Sequence, residues 1–165
     1  MSIINIGLHG ASGRMGTAVA EAIAKQSDKF VLVTKFSKQH NQDKLFNFCF
    51  PADIIIDFST PDALENLLKI STDAGKKLVI GTTGLSSAHI KEIEKASKSI
   101  AILYSPNMSI GANLIIEMAG RISRILEDYD VEIIDIHHKH KKDSPSGTAL
   151  AIGQNIAKHR DQKFE

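Results

Sequence analysis

The sequence has little of several features that mark particular classes of protein. A single cysteine, Cys49, excludes an intramolecular disulfide and fits a reducing compartment. No apolar run approaches the roughly 20 residues that span a bilayer, and the first ten residues lack the basic and apolar regions of a signal peptide. The formal net charge of +1 provides no field that attracts nucleic acid or an anionic membrane. We therefore expect a cytoplasmic protein without nucleic-acid or membrane partners.

Short apolar runs alternate with helical patterns along the whole chain. This alternation is typical of parallel strands joined by right-handed helical crossovers. The strands are predicted at 2–8, 30–36, 52–58, 77–84, 100–107 and 130–138, and the helices at 14–26, 60–74, 87–99, 109–128 and 148–159. The fold class is α/β, with a Rossmann-type parallel sheet that has helices on both faces in a domain at 1–108, followed by an α/β domain at 109–165.

A glycine-rich turn follows the first predicted strand. The stretch GLHGASGRMG at 7–16 opens the first predicted helix, which is the context of a dinucleotide-binding fingerprint. Gly10 would permit the sharp turn, Gly13 the approach of a pyrophosphate, and Gly16 the packing of helix on strand. The spacing GxxGxxG departs from GxGxxG, so a packing turn without a ligand remains the alternative.

The end of the second predicted strand carries cations instead of an acidic residue. Residues 31–40 hold no carboxylate, whereas NAD sites usually offer one there for the ribose hydroxyls. Lys35 and Lys38 would suit a ribose 2′-phosphate, which favours NADPH. Ordinary surface lysines are the other interpretation.

A cluster of three histidines and three lysines at 137–142 ends the sixth predicted strand. It is a solvated loop, a metal site formed by His137, His138 and His140, or a site for anion binding and proton transfer. Neighbouring lysines disfavour a metal. The turn that Ser146, Gly147 and Thr148 form before a helix favours the third interpretation, because with Lys141 it suits the carboxylates of a small acidic substrate.

These motifs, taken together and in order, resemble one family. GASGRMG, DFSTP, IGTTG, SPNMSIGAN and EIIDIHHKHKKDSPSGTAL occur in the order found in dihydrodipicolinate reductase, also called 4-hydroxy-tetrahydrodipicolinate reductase. The resemblance covers nearly the whole chain. It implies reduction of a small cyclic dicarboxylate by NADPH or NADH in the diaminopimelate route to lysine.

The resemblance also implies roles for individual residues. The loop that holds the cofactor pyrophosphate corresponds to Gly10, Gly13, Arg14, Met15 and Gly16. The segments that line the cofactor and its nicotinamide correspond to Phe58, Gly81, Thr83, Asn107 and Met108. Proton transfer falls to His137 with Lys141, and the substrate carboxylates to His138, Lys141, Ser146, Gly147 and Thr148.

Two departures from the family pattern bear on function. Ser37, followed by Lys38, stands where many members have a glutamate, so the choice between NADPH and NADH stays open. The family continues with strands that complete the substrate domain and mediate tetramer formation, so the domain at 109–165 is expected to be incomplete. The chain is then a fragment or a natural truncation, and a catalytically impaired nucleotide-binding protein is the alternative to a reductase. A metal-binding interaction domain is a third, more remote hypothesis.

Overall fold

In the part of the chain that the structure describes, five parallel strands form a single sheet. The structure is a computed structural model that describes residues 2–37, 47, 49–139 and 144–164. The strands are β1 (Ile4–His9), β2 (Phe30–Phe36), β3 (Ile54–Asp57), β4 (Lys77–Ile80) and β5 (Ile102–Tyr104). Their order is β2-β1-β3-β4-β5, and all neighbours are parallel. The predicted α/β fold class is confirmed.

Five helices occur at the predicted places in the described part of the chain. They are α1 (Arg14–Ala24), α2 (Pro61–Asp73), α3 (Ser87–Ala96), α4 (Ile110–Ile125) and α5 (Gly147–His159). Residues at the start of each helix fix where it begins. In α2, for example, Thr60 is the N-cap residue and Pro61 is the first helical residue. Ser86 and His89 form a capping box at α3. None of these helices combines the length and apolarity that crossing a membrane takes.

The sheet changes winding direction between β1 and β3. The chain moves from β1 through α1 to β2 on one side, and from β3 through α2 and α3 to β4 and β5 on the other. Right-handed crossovers therefore place α1 on one face of the sheet and α2 and α3 on the opposite face. Open α/β sheets bind ligands at such a switch point, outside the carboxyl ends of the strands.

The main hydrophobic core lies between strands β3 and β4 and helices α2 and α3. Alternate residues of each strand point into it, while the helices contribute residues at helical spacing. The largest fully buried apolar side chains of this core are those of Cys49, Ile55, Leu64, Leu67, Leu78 and Ile80.

The chain divides into two compact units, Met1–Pro106 and Asn107–Glu165. In the second unit, α4 and α5 pack closely against each other. The side-chain amide of Asn155 donates a hydrogen bond to the carbonyl of Ile116 at 2.7 Å. A Cβ at Gly120 would overlap the side chains of Asn155 and His159, so a larger residue there would require these two side chains to move.

The prediction of a sixth strand at 130–138 is wrong. The structure describes these residues as irregular backbone without strand pairing. Ile134 and Ile136 are 82% and 83% exposed. A segment with alternating apolar residues forms a strand only where another strand pairs with its backbone. The described residues of the second unit contain no such partner strand.

We expect Ile55→Ala to lower the free energy of unfolding by about 2–5 kcal/mol, because Ile55 is fully buried in β3 and the change leaves a cavity. Chemical denaturation measures the loss. Leu103→Ala in β5 is the control, since Leu103 is 59% exposed, and its loss should stay within about 0.5 kcal/mol. Equal losses would contradict this location of the core.

Candidate functional site

The glycine turn between β1 and α1 lies directly against the turn that follows β3. Gly10 has a φ of +79°, and a Cβ there would overlap the carbonyl of Phe58. A Cβ at Gly16 would overlap the carbonyl of Gly10. The amide of Gly10 donates to the carbonyl of Phe36 at 2.9 Å. Two glycines are therefore required for the first turn of α1 to sit this close to β1 and β3.

The two helices that begin at the switch point lack side-chain caps. Gly13 is the N-cap residue of α1 and Thr60 that of α2, and neither makes a side-chain hydrogen bond to its helix. The other described helices are capped by Ser86, Ser109 and Ser146. The first turn of α1 also contains no acidic residue. Its amides and the positive end of its dipole are the features that bind a phosphate.

Of the remaining cofactor residues predicted in the first unit, those that the structure describes also lie at the carboxyl edge of the sheet. Phe58 follows β3, and its ring lies over Gly81 after β4, where a Cβ would overlap it. Arg14, Met15 and Thr83 have exposed side chains. Lys38 lies outside the described residues.

Asn107 and Met108 are the first residues of the second unit, where the Asn107 side chain accepts from the amide of Ser109 at 2.9 Å. Met108 is exposed.

A buried carboxylate links the strand ends at this edge. Asp57 is fully buried at the end of β3, opposite His9 of β1 in the register. Asp57 Oδ1 lies 2.7 Å from Nδ1 of His9, and Oδ2 accepts from the hydroxyl of Thr82 at 2.7 Å. The amide of Ser59 donates to Asp57 Oδ1 at 3.2 Å and to Thr82 Oγ1 at 3.0 Å. This network joins the ends of β1, β3 and β4.

Hydrogen bonding keeps Asp57 ionised in spite of its burial. Burial is the largest single influence and raises the pKa of Asp57, but His9, Ser59 and Thr82 together lower it below the ordinary aspartate value. An ionised carboxylate only accepts hydrogen bonds, so Nδ1 of His9 carries the proton that points at Asp57.

His9, Asp57 and Thr82 are not among the site residues predicted from the sequence. The available signal was that His9 and Asp57 each end an apolar strand. Polar residues at the carboxyl ends of adjacent parallel strands meet at one edge, but adjacency requires the strand order, which the sequence pattern did not determine.

In the second unit, the predicted proton donor is held by an acidic neighbour. Nε2 of His137 lies 2.7 Å from Oδ1 of Asp135, and these side chains are 40% and 20% exposed. Asp135 also accepts from the amide of Ser146 at 2.8 Å and from its hydroxyl at 2.9 Å. The same hydroxyl accepts from the amide of Ala149 at 3.1 Å and caps α5.

Two of the other predicted substrate residues begin the same helix, and His138 lies earlier in the chain. Gly147 and Thr148 open α5 and are exposed, and His138 is exposed in the preceding segment. Lys141 lies outside the described residues, and so does His140, the third histidine of the alternative metal site with His137 and His138.

The fold and the glycine turn place the first unit in a broad class. A doubly wound parallel sheet with a glycine turn and an uncapped helix at its switch point is typical of dinucleotide-binding domains. The solved structure "Dipicolinate bound Dihydrodipicolinate reductase from Paenisporosarcina sp. TG-14" has the same fold, with a TM-score of 0.77. It is 22% identical, and the match covers 99% of this chain and 69% of that one.

Two family models narrow this class. "Dihydrodipicolinate reductase, N-terminus" matches residues 4–108, and "Dihydrodipicolinate reductase, C-terminus" matches residues 111–165. The chain belongs to the dihydrodipicolinate reductase family.

Similar curated proteins bear the name 4-hydroxy-tetrahydrodipicolinate reductase. That of Rickettsia rickettsii is 50% identical and that of Rickettsia canadensis 51%, over 94% and 96% of this chain. That of Campylobacter lari is 42% identical over 99% of the chain. The chain spans 64–66% of the length of these relatives.

We expect Asp57→Asn to reduce the stability of the first unit. We also expect that stability to depend less on pH in the acid range. Because the pKa of Asp57 is lowered on folding, its stabilisation is present above the ordinary aspartate range and is lost as the pH falls below about 4. The variant should lose about 1–3 kcal/mol at pH 7 and show a shallower decline in acid. Denaturation as a function of pH measures both effects.

Asp28→Asn is the control for this experiment, because Asp28 is exposed in the turn before β2. It should follow the wild-type curve. An Asp57→Asn variant that declines in acid as steeply as the wild type would contradict the assignment.

Proposed function

We propose that the chain is part of a 4-hydroxy-tetrahydrodipicolinate reductase that uses NADPH or NADH, in the diaminopimelate route to lysine. The observation that carries the proposal is that both units belong to one reductase family while the glycine turn lies at the switch point of the sheet. Residues 1–108 are the dinucleotide-binding domain and residues 109–165 are part of the substrate domain.

The residues of the glycine turn suit the pyrophosphate of the cofactor. Gly10 and Gly16 allow the turn to pack closely, and Gly13 leaves the first amides of α1 without a competing side chain. Arg14, exposed beside them, adds positive charge. Met15, Phe58, Gly81, Thr83, Asn107 and Met108 are the proposed contacts to the rest of the cofactor, and Lys38 to a 2′-phosphate.

Reduction of a conjugated cyclic imine needs a proton donor as well as a hydride. The bound nicotinamide supplies the hydride. His137 delivers the proton that neutralises the charge developing on the substrate, with Lys141 as the second cation. Such proton transfer contributes about 10²–10⁴-fold to a rate.

The start of α5 suits the carboxylates of the substrate. Gly147 and Thr148 expose the first turn of the helix, and His138 lies in the segment that precedes it. Ser146 donates its amide and hydroxyl to Asp135. We therefore assign the direct contacts to Gly147, Thr148, His138 and Lys141, and to Ser146 the support of this turn.

We further propose that the reductase is a homotetramer, on the basis of the family resemblance, and that it is cytoplasmic, on the basis of its single cysteine. A nucleotide-binding protein with impaired catalysis is the second candidate, because the glycine turn and the uncapped start of α1 suit a phosphate whether or not the chain turns over a substrate.

We expect NADPH or NADH to raise the melting temperature of the chain. Ligand at 100 times its Kd adds about 2.7 kcal/mol of stability. Ser12→Asp should weaken binding about tenfold or more, because it adds a negative charge to the exposed part of the turn where the phosphates bind. Thermal denaturation at several cofactor concentrations measures the affinities and the preference between the two cofactors.

Ser12→Asn is the matched control, since it has the size of aspartate without the charge and should bind nearly as the wild type. A wild-type chain whose melting temperature does not move at millimolar NADPH or NADH would rule out nucleotide binding.

We expect His137→Gln to reduce turnover of 4-hydroxy-tetrahydrodipicolinate about 100-fold or more, since glutamine cannot deliver the proton. Lys141→Ala should also reduce turnover. The consumption of NADPH measures turnover, and the thermal shift with NADPH should be unchanged in both variants.

His89→Gln is the control, because glutamine can still complete the capping box of α3. Full turnover in both His137→Gln and Lys141→Ala would show that the roles are wrong. A wild-type chain that binds NADPH without turnover would favour the second candidate.

A further inference from the structure

The carboxylate of Asp135 connects two parts of the proposed substrate site. Its Oδ1 lies 2.7 Å from Nε2 of His137 and accepts from the hydroxyl of Ser146 at 2.9 Å. Its Oδ2 accepts from the amide of Ser146 at 2.8 Å. One side chain therefore contacts both the proposed proton donor and the N-cap residue of α5.

These contacts determine which nitrogen of His137 carries the proton in the neutral ring. The pKa of Asp135 lies below its ordinary value. The hydrogen bond from the amide of Ser146 lowers this pKa most, and burial raises it by a smaller amount. The hydroxyl of Ser146 and the ring of His137 lower it further. An ionised carboxylate only accepts hydrogen bonds, so Nε2 must be the donor. The neutral ring is then the Nε2–H tautomer, and Nδ1 is the nitrogen that gains or gives a proton.

We propose that Asp135 is a positioning residue that holds His137 as the Nε2–H tautomer, so that Nδ1 delivers the proton to the substrate. The same carboxylate ties the ring to the first turn of α5, where the substrate carboxylates bind. The role of Nδ1 rests on the proposed function, whereas the tautomer is a property of the chain without ligand. In the proposed step, the Nδ1–H bond breaks as the proton joins the reduced substrate, and the ring returns to its neutral Nε2–H form.

The contact of Asp135 with Ser146 makes Asp135→Asn a sharp test. The backbone amide of Ser146 cannot become an acceptor, so the single amide oxygen of asparagine should face it. The NH₂ group of asparagine then faces Nε2 of His137, which must become an acceptor. The neutral ring is thereby driven to the Nδ1–H tautomer, which leaves Nδ1 without its lone pair, as in serine proteases whose histidine is held in the wrong tautomer.

The tautomer is measured directly by nitrogen NMR of the ligand-free chain labelled with ¹⁵N-histidine, at a pH above the ordinary imidazole range. His137→Gln identifies the signals of His137. We expect Nε2–H to predominate in the wild type and Nδ1–H in Asp135→Asn. A wild type with Nδ1–H, or an Asp135→Asn spectrum unchanged from the wild type, would overturn the proposal whether or not the chain has activity.

Ser146→Ala separates positioning from a purely structural effect. It removes the cap of α5 and one bond to Asp135 but leaves the contact between Asp135 and His137. We expect a lower melting temperature with the wild-type tautomer. A tautomer that changes equally in Ser146→Ala and Asp135→Asn would show that the helix cap, and not Asp135, orients the ring.

Turnover then tests the assignment of Nδ1. In an active chain, Asp135→Asn should lower kcat at least about 100-fold while KM changes little, because the proton donor and not the carboxylate binding is affected. An Asp135→Asn variant with the Nδ1–H tautomer and full kcat would overturn the role of Nδ1. Such a result would leave the reductase function itself intact.

Discussion

The buried carboxylate of Asp57 is the interaction on which the proposed cofactor site depends. It is fully buried and bound to His9, Ser59 and Thr82, which lie in or just after three adjacent strands. A buried charge that loses a partner is strongly destabilising, so these strand ends cannot shift independently. The glycine turn after β1 and the loops after β3 and β4 begin at these ends, and their relative positions follow from this network.

The carboxylate of Asp135, unlike that of Asp57, contributes little to stability. Its side chain and that of His137 are partly exposed, and exposed ion pairs contribute little to stability. Its effect lies in geometry, because two hydrogen bonds to Ser146 fix the carboxylate at the end of α5 and a third orients the imidazole. One carboxylate therefore holds strands together, whereas the other orients a single ring.

Local signals in the sequence predicted much of the fold. Apolar periodicity located five strands and five helices, Thr60 with Pro61 marked the start of α2, and Ser86 that of α3. The pattern failed at 130–138, where alternation was present but no described strand pairs with it. Periodicity reports which face of a segment is apolar, and only a partner decides whether its backbone forms a sheet.

Some features of the candidate site are evident from the sequence, and others appear only in the folded structure. By itself, the sequence determined the glycine turn, the histidine and lysine cluster and the family resemblance, because each lies within a short stretch whose spacing carries the chemistry. Only the tertiary structure joined His9 to Asp57, 48 residues apart, and Asp57 to Thr82, 25 residues apart. It also placed Asp135 against Ser146, 11 residues away. Contacts of this kind depend on strand order and on the path of the connecting loops, which no local pattern encodes.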